Sequence, residues 1–254
     1  MPERRPLGLQ LYSVRDLLAQ DFTGTMRHIA EIGYTGVETA GFPDGVTSAD
    51  AKQLFDDLGL TVIAAHSGLP IGDNKNAVLE TMEALGCRYL VCAWLSPEDY
   101  FSSLAGVERA CDLLNAANEA VQNAGLTLLY HNHWFEYQAV EGKLPYQIML
   151  EKLDKTIGFE VDTYWVHTAK QDPVQVVQKL GKRAPLLHIK DGPAEMDKAM
   201  TAVGDGVLDF PPIIRESAAE WLIVELDRCD TDIMQAIAKS YQYLTTKELG
   251  HGRR

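Results

Sequence analysis

Residues 25–40 read TMRHIAEIGYTGVETA and contain the structural unit that recurs through the rest of the chain. The first half places Met26 and Ile29 on one face, which is the 3.6-residue period of an amphipathic helix. Gly33 follows at the position where helices commonly end in a left-handed residue. The run Gly36–Ala40 is short and rich in β-forming residues, and it therefore predicts a strand after the helix.

The same order of helix, glycine and strand recurs along the whole sequence. Gly59, Gly86, Gly125 and Gly181 stand at the equivalent place in later units. Most strand candidates are near-continuous apolar runs, as expected for parallel strands that are covered on both faces. The predicted strands are Leu7–Tyr12, Gly36–Ala40, Leu60–His66, Tyr89–Leu95, Leu126–His133, Ile157–Asp162, Pro185–Lys190 and Trp221–Asp227.

Eight parallel strands joined by helical crossovers in 254 residues predict a closed (β/α)8 barrel. We expect residues 1–254 to form a single TIM-barrel domain. An open, doubly wound sheet is the alternative, but its glycine fingerprint G-x-G-x-x-G does not follow the first strand. The tail Glu248–Arg254 is expected to be a frayed end.

The composition argues against several classes of function. A net charge of −13 without a basic run disfavours nucleic-acid binding, which depends on Lys and Arg at phosphates. No apolar stretch has the length of a signal peptide or a membrane span, so we expect a cytoplasmic protein without a membrane partner. The four cysteines show no C-x-x-C spacing, which fits a reducing compartment. Homo-oligomer formation stays open.

Polar side chains collect where the predicted strands end, which in this fold is where the chemistry takes place. Alternate residues of a strand share a face, so each such end can direct two polar groups the same way. Asp162, His188 and Glu225 come from three successive strands and could each supply one metal ligand. This carboxylate and imidazole set predicts one divalent ion, which could be Mn, Mg, Co, Fe or Zn. Taken alone, each carboxylate could equally be a loop residue or a salt-bridge partner.

Other polar and aromatic residues near strand ends are candidates for contacts to a small sugar-like substrate. They include His66 and Glu38, although His66 taken alone is more commonly a structural histidine. Trp94 and Trp165 could form aromatic walls around a sugar ring or could simply cap the barrel core. His133 is a further candidate, after the fifth strand.

Several segments together resemble the xylose isomerase-like superfamily of barrels, whose members are often called sugar phosphate isomerases/epimerases. The resemblance spans nearly the whole chain, which makes it far more specific than any single motif. The segments are LQLYSVRD (9–16), YHNHWFEY (130–137), EVDTYWVHTAKQDPVQVV (160–177), LLHIKDG (186–192), VGDGVLDFPPII (203–214) and IVELD (223–227).

The resemblance implies a metal-dependent barrel with one ligand from each of the last four strands. By position, it assigns the strand-six, strand-seven and strand-eight ligands to Asp162, His188 and Glu225. His131 stands where ketose 3-epimerases have a glutamate, as in relatives that resemble inosose dehydratases. His133 or Glu136 would be the fifth-strand ligand if the register were shifted.

The same resemblance implies an isomerase or epimerase that acts through an enediolate on a keto-sugar or related polyol carbonyl. Because strand five offers a histidine instead of a glutamate, a lyase or dehydratase acting on a keto-inositol or 3-keto-glycoside is the alternative. A related branch of the superfamily cleaves abasic DNA, and the charge of −13 disfavours that AP-endonuclease-like activity here.

Three residues are candidates for moving protons in such a reaction. Glu225 could act as base as well as ligand, and Glu136 is the nearest carboxylate after strand five. Lys190 could act as an acid or stabilise the enediolate, because a buried lysine near a metal can have a lowered pKa. The alternative for Lys190 is an ion pair with Asp191 or Glu160.

Overall fold

The computed structural model describes residues 4–253, and its strands form a closed barrel. Strand order runs from β2 through β8 to β1, and β1 also pairs with β2, which closes the ring of eight parallel strands. The predicted TIM barrel is therefore confirmed. The strands are β1 Arg5–Gln10, β2 Gly36–Thr39, β3 Thr61–Ser67, β4 Tyr89–Cys92, β5 Thr127–His131, β6 Gly158–Asp162, β7 Leu186–Ile189 and β8 Trp221–Val224.

Helices fill every crossover between these strands, and glycines end several of them as predicted. Gly33 follows α2 with a φ of 118°, and Gly86 follows α4 with a φ of 61°. The helices are α1 Arg15–Gln20, α2 Phe22–Ile32, α3 Ser48–Asp57, α4 Lys75–Leu85, α5 Pro97–Tyr100, α6 Leu104–Asn123, α7 Pro145–Lys152, α8 Thr163–Thr168, α9 Pro173–Leu180, α10 Phe210–Glu216 and α11 Ile233–Thr246. No helix within residues 4–253 is long and apolar enough to cross a membrane.

Several strands end earlier than predicted, so some expected strand-end residues are the first residues of loops. The Gln10 side chain accepts a hydrogen bond from the backbone N–H of Tyr12, which turns the chain into a 3-10 helix directly after β1. Strand β8 ends at Val224, and Glu225 therefore lies one residue beyond it.

The expectation of a frayed tail is wrong for the residues that the structure describes. Gly250–His251 form a short strand, β9, that pairs in parallel with Arg5 and Pro6 of β1. Beyond it, the backbone N–H of Arg253 donates to the carbonyl of Gly33 over 2.9 Å. Backbone hydrogen bonds thus hold the tail, and residue 254 lies outside the described residues.

The barrel interior is apolar towards the N-terminal ends of the strands. Seven buried side chains form this apolar region, which we call the barrel floor, and Trp221 packs against them. A Cβ on Gly8 would lie 2.2 Å from Cδ1 of Ile63, so the missing side chain leaves room for that isoleucine. The barrel floor consists of Ile63, Ala64, Tyr89, Val91, Leu129, Leu186 and Ile223.

Candidate metal centre and cavity

Four ligand-type side chains meet at the C-terminal end of the barrel, and we call them the ligand cluster. They are His131 at the end of β5, Asp162 at the end of β6, His188 in β7 and Glu225 just after β8. One ligand atom from each lies within 4.8 Å of the others, and all four side chains are buried. The structure therefore brings together the four residues that the sequence and its resemblance indicated.

Asp162 is oriented by the first turn of α8. Its Oδ1 accepts hydrogen bonds from the backbone N–H groups of Tyr164 and Trp165, at 3.0 and 3.1 Å. The Asn132 side chain also bonds both backbone groups of Asp162. With Oδ1 engaged by the helix, Oδ2 faces the cluster, 4.0 Å from Nε2 of His131.

His188 lies between two carboxylates in the centre of the barrel. Its Nδ1 lies 2.6 Å from Oε2 of Glu225, and its Nε2 lies 2.6 Å from Oε2 of Glu38. Burial disfavours the charged ring, but Glu160, Glu225 and Glu38 outweigh it and raise the pKa of His188 well above its ordinary value.

Lys190 is enclosed by carboxylates above the ligand cluster. Its Nζ lies 2.7 Å from Glu225, 2.8 Å from Asp227 and 2.9 Å from Asp162. Burial lowers its pKa, but these three carboxylates outweigh burial and hold the pKa well above its ordinary value. The lowering considered from the sequence applies to a lysine beside a bound metal ion and stays a prediction.

Asp191 does not act as the ion-pair partner considered for Lys190, because its carboxylate binds the following loop. Its two oxygens accept hydrogen bonds from four backbone N–H groups, those of Gly192, Gly204, Gly206 and Leu208. A Cβ on Gly206 would lie 2.0 Å from Oδ1 of Asp191, so glycine is needed for this close approach.

A second set of polar side chains, which we call the polar layer, adjoins the ligand cluster. It consists of the fully buried Gln10, Glu38 and Glu160 and of the partly exposed His66, which also lines the cavity. The Nε2 of His66 lies 2.8 Å from Oε2 of Glu160 and 3.4 Å from Oε2 of Glu38. Burial opposes the charged form of His66, but the two carboxylates outweigh it and raise its pKa to about 10.

Glu160 is surrounded by imidazoles. Its Oε2 lies 2.8 Å from Nε2 of His66, 3.1 Å from Nδ1 of His131 and 3.2 Å from Nε2 of His188. Burial raises its pKa, but His188 and His66 outweigh that and lower the pKa below its ordinary range. These side chains also form a second group that could hold a metal, composed of His66, His131, Glu160 and His188.

A cavity of about 730 Å³ opens above the ligand cluster. Glu38 lies beneath this cavity, fully buried, and Trp165 lies behind its wall, where it packs on Trp134 with ring centroids 5.1 Å apart. The structure thus does not bring these two predicted substrate-contact residues to the cavity surface. The lining residues are Tyr12, Ala40, Gly41, His66, Ser67, Gly68, Ala93, Trp94, His131, His133, Lys190, Glu225 and Asp227.

One wall of the cavity is aromatic. Trp94 is 52% exposed, and its ring meets that of His133 edge-on, with centroids 4.7 Å apart. Burial, with the nearby charge of Lys190, lowers the pKa of His133 to about 3. His133 therefore presents a neutral imidazole to the cavity.

Glu136 lies away from the cavity, behind strand β5. It is fully buried, accepts a 2.5 Å hydrogen bond from the Tyr130 hydroxyl, and accepts a second from the backbone N–H of His133 at 2.8 Å. Burial raises its pKa to about 8 despite these donors. The structure does not bring Glu136 to the ligand cluster.

The sequence analysis assigned no ligand or substrate role to three residues of the site, although it considered Glu160 as an ion-pair partner of Lys190. Gln10 and Glu160 belong to the polar layer, and Asp227 binds Lys190. Glu160 stands two residues before Asp162, so their shared strand face was the available signal. The sequence does not show how deep along the barrel axis each side chain lies, and it is this depth that separates Glu160 from the ligand cluster.

The fold and the site together define a TIM barrel with buried carboxylates and imidazoles at the C-terminal ends of its strands. The chain belongs to the xylose isomerase-like TIM barrel family, which matches residues 26–246. No functionally curated protein matches the sequence significantly.

Three solved structures place the chain among barrels with related folds. A sugar phosphate isomerase/epimerase from Parabacteroides distasonis is 25% identical, with a TM-score of 0.82 over 95% of this chain and 98% of that one. The zinc-bound IolI protein is 14% identical, with a TM-score of 0.77 over 96% and 98%. The probable 3-DHS dehydratase AsbF from Bacillus anthracis is 14% identical, with a TM-score of 0.75 over 94% and 98%. The last two similarities show the fold alone.

Proposed function

We propose that this chain is a metal-dependent sugar isomerase or epimerase that acts on a keto-sugar or a related polyol carbonyl. The observation that carries the proposal is the ligand cluster, whose four ligand atoms lie within 4.8 Å of one another below an open cavity. Similarity to the sugar phosphate isomerase/epimerase from Parabacteroides distasonis supports this class of reaction.

The donor set of the ligand cluster fits one divalent ion. Two carboxylates and two imidazoles suit Mn, Mg, Co, Fe or Zn. Burial, followed by the charge of His188, lowers the pKa of His131 well below its ordinary value, whereas the carboxylates around His188 raise its pKa, so metal binding would release a proton from His188. Oδ2 of Asp162 is directed towards the other ligand atoms, and its partner among the described residues is the Nζ of Lys190 at 2.9 Å. The zinc held by the IolI barrel supports a metal in this fold.

When bound, such an ion would supply Lewis-acid polarisation of a substrate carbonyl and its neighbouring hydroxyl. Glu225 lines the cavity and is suited to take the proton from the adjacent carbon. Burial opposes its ionisation, but Lys190 and His188 outweigh burial and lower its pKa well below the ordinary value. Glu225 is therefore ionised and able to accept a proton.

Lys190 and His133 complete the proposed chemistry. The ammonium of Lys190, 2.7 Å from Glu225, is placed to stabilise the negative oxygen of the enediolate. The neutral imidazole of His133 is placed to bind a substrate hydroxyl. Return of the proton to the opposite face of the same carbon gives epimerisation, and its return to the neighbouring carbon gives isomerisation.

A lyase or dehydratase acting on a keto-inositol or 3-keto-glycoside is the second candidate. Within residues 4–253, the carboxylates that line the cavity are Glu225 and Asp227, which both follow β8. Strand five contributes His131, and Glu136 is held away from the cavity. With carboxylates on one side only, loss of a β-substituent from the enediolate competes with reprotonation. AsbF, a probable 3-DHS dehydratase, has the same barrel.

The test is a screen of keto-sugars, keto-inositols and 3-keto-glycosides in deuterated water. Protein stripped with EDTA is compared with protein reloaded with Mg²⁺, Mn²⁺ or Zn²⁺, and products are analysed after the metal is removed. We expect deuterium at the carbon next to the carbonyl only in the reloaded samples. Undiminished turnover in EDTA would contradict the metal-dependent mechanism.

A His131→Glu variant, run beside the wild type, separates the two candidates. The variant restores a carboxylate on strand five and should raise the share of epimer over elimination product. Stereoinversion by the wild type without any elimination product would exclude the lyase. Elimination as the main wild-type product would replace the isomerase proposal with the lyase.

A further inference from the structure

The two histidines of the ligand cluster turn opposite ring nitrogens towards it. In His188, Nδ1 faces Glu225 and Nε2 faces Glu38, each at 2.6 Å. Glu225 belongs to the ligand cluster, whereas Glu38 lies below it in the polar layer and is fully buried. Nδ1 is therefore the nitrogen on the metal side, and Nε2 is left to donate its hydrogen to Glu38.

His131 has the reverse arrangement. Its Nδ1 lies 3.1 Å from Oε2 of Glu160, at ion-pair distance but without the alignment of a hydrogen bond, and its Nε2 lies 4.0 Å from Oδ2 of Asp162. Because Asp162 belongs to the ligand cluster and Glu160 to the polar layer, Nε2 is the nitrogen on the metal side. Each histidine thus has one nitrogen towards the cluster and the other within 3.1 Å of a buried carboxylate.

Two other members of the polar layer, Gln10 and His66, fix the positions of both carboxylates. Gln10 donates a 2.8 Å hydrogen bond to Oε2 of Glu38, and the Gln10 side chain is itself held by the backbone N–H of Tyr12. His66 lies within 3.4 Å of both Glu38 and Glu160. These contacts hold the two carboxylates beneath the histidines.

The lower group that includes Glu160 is less suited to the same ion. Oε2 of Glu160 lies within 3.2 Å of three imidazole nitrogens, those of His66, His131 and His188. A carboxylate oxygen therefore lies where an ion bound by these three rings would have to lie. This geometry favours a hydrogen-bonding role for Glu160.

We propose that Glu38 and Glu160 are positioning residues, one for each histidine of the ligand cluster. Glu38 holds His188 with Nδ1 directed at the metal, and Glu160 holds His131 with Nε2 directed at it. This inference rests on the metal site of the proposed function. It assigns Glu38 a role beneath the site in place of the substrate contact expected from the sequence. Carboxylates that orient metal-bound histidines typically contribute about 10–100-fold to metal affinity.

The first test is a Zn²⁺ titration of metal-free wild type, Glu38→Gln and Glu160→Gln. We expect each variant to bind Zn²⁺ at least about tenfold more weakly than the wild type. Glu136→Gln is the matched control, because it removes a buried carboxylate that has no contact with either histidine ligand, and its affinity should not change. If the wild type binds Zn²⁺ and both variants stay within about twofold of it, the positioning role is overturned and the metal site stands. Failure of the wild type to bind would instead overturn the proposed function.

The second test uses the wild type alone, so it does not depend on the folding of any variant. Nitrogen-15 NMR of the histidines in the Zn²⁺-loaded protein identifies the ring nitrogen that binds the ion. We expect coordination through Nδ1 of His188 and through Nε2 of His131, with a proton on the opposite nitrogen of each ring. Coordination through Nε2 of His188 would place the ion in the lower group and overturn the assignment.

Discussion

The floor of the barrel and the ligand cluster above it share strands β5 and β7 but have opposite chemistry. In β7, Leu186 belongs to the floor and His188 binds two carboxylates, although one residue separates them. In β5, Leu129 and His131 have the same relation. Side chains two residues apart on a strand point to the same face. An apolar packing residue and a metal-ligand candidate can therefore be neighbours on the inner face of one strand. The comparison shows that stability and function occupy successive layers of one barrel.

The energetics of the two regions should differ in the same way. The floor contributes stability through buried apolar area. The polar layer and ligand cluster bury charges, and the loss of hydration is offset only by pairing among those charges. We therefore expect substitutions in the barrel floor to reduce stability and leave metal binding intact. Substitutions in the polar layer or the ligand cluster should weaken metal binding and leave stability nearly unchanged.

The largest expected effect is on catalysis, from Glu225→Gln. The amide oxygen can still coordinate an ion, but the amide cannot accept a proton. We expect kcat to fall by about 10²–10⁴-fold, with a smaller loss of metal affinity, measured by turnover and Zn²⁺ titration. Activity within about tenfold of the wild type, or roughly 1.4 kcal/mol of barrier, would show that Glu225 is not the base.

Leu129→Ala tests the floor of the barrel on the strand that carries His131. The cavity left by the smaller side chain should lower the free energy of unfolding by about 2–5 kcal/mol, measured by urea denaturation of the metal-free protein. Zn²⁺ affinity should stay within about twofold. His131→Ala is the paired control, with the opposite expectation of weak metal binding and nearly unchanged stability. A metal defect in Leu129→Ala at unchanged stability would contradict the separation of layers.

Glu136 shows what happens to a buried carboxylate without a cationic partner. Its pKa is about 8 in the folded protein, against an ordinary value of 4.5. The unfolded chain therefore ionises at lower pH, and the wild type should lose stability relative to Glu136→Gln as pH rises from about 5 to 8. The slope should reach about 1.4 kcal/mol per pH unit. Urea denaturation of both proteins across this range measures it, and a pH-independent difference would contradict the raised pKa.

Trp94→Ala has the smallest expected effect and concerns the rim of the cavity. Loss of the aromatic wall should raise KM about fivefold and leave kcat nearly unchanged, because the ring binds ground state and transition state alike. Trp165→Ala is the comparison, since that ring lies behind the wall, and its main effect should be on stability. Equal KM changes in both variants would place Trp165 in the substrate site as well.

The fold was predictable because its signals repeat. Each unit repeats the glycine and the apolar run, so an error in one strand does not change the predicted barrel. The ends of the strands were less predictable, since the residues that follow Gln10 and Val224 continue the alternating strand pattern but lie in turns and loops. Strand β9 was missed because Gly250 and His251 carry no apolar pattern, and its pairing depends on β1.

The site was predictable by residue type and strand, but not by depth. Asp162, His188 and Glu225 were expected to converge because each lies near the end of a successive strand, and the structure brings them together. Glu160 and Glu38 have the same chemistry, and their place beneath the histidines follows from barrel stagger and from the irregular register between Val37 and Glu38. One sequence without three-dimensional context does not contain that information.

The carboxylate of Asp191 binds four backbone amides of the loop of residues 192–208, which Tyr164, Ser240 and Arg228 also hold. Its four amide bonds share one acceptor group, so they should break together when the loop detaches. Hydrogen exchange at Gly192, Gly204, Gly206 and Leu208 should therefore report one cooperative opening with a common free energy. A segment that has little regular secondary structure would then open as a single kinetic unit, with the side chain next to Lys190 as the shared acceptor of four of its amides.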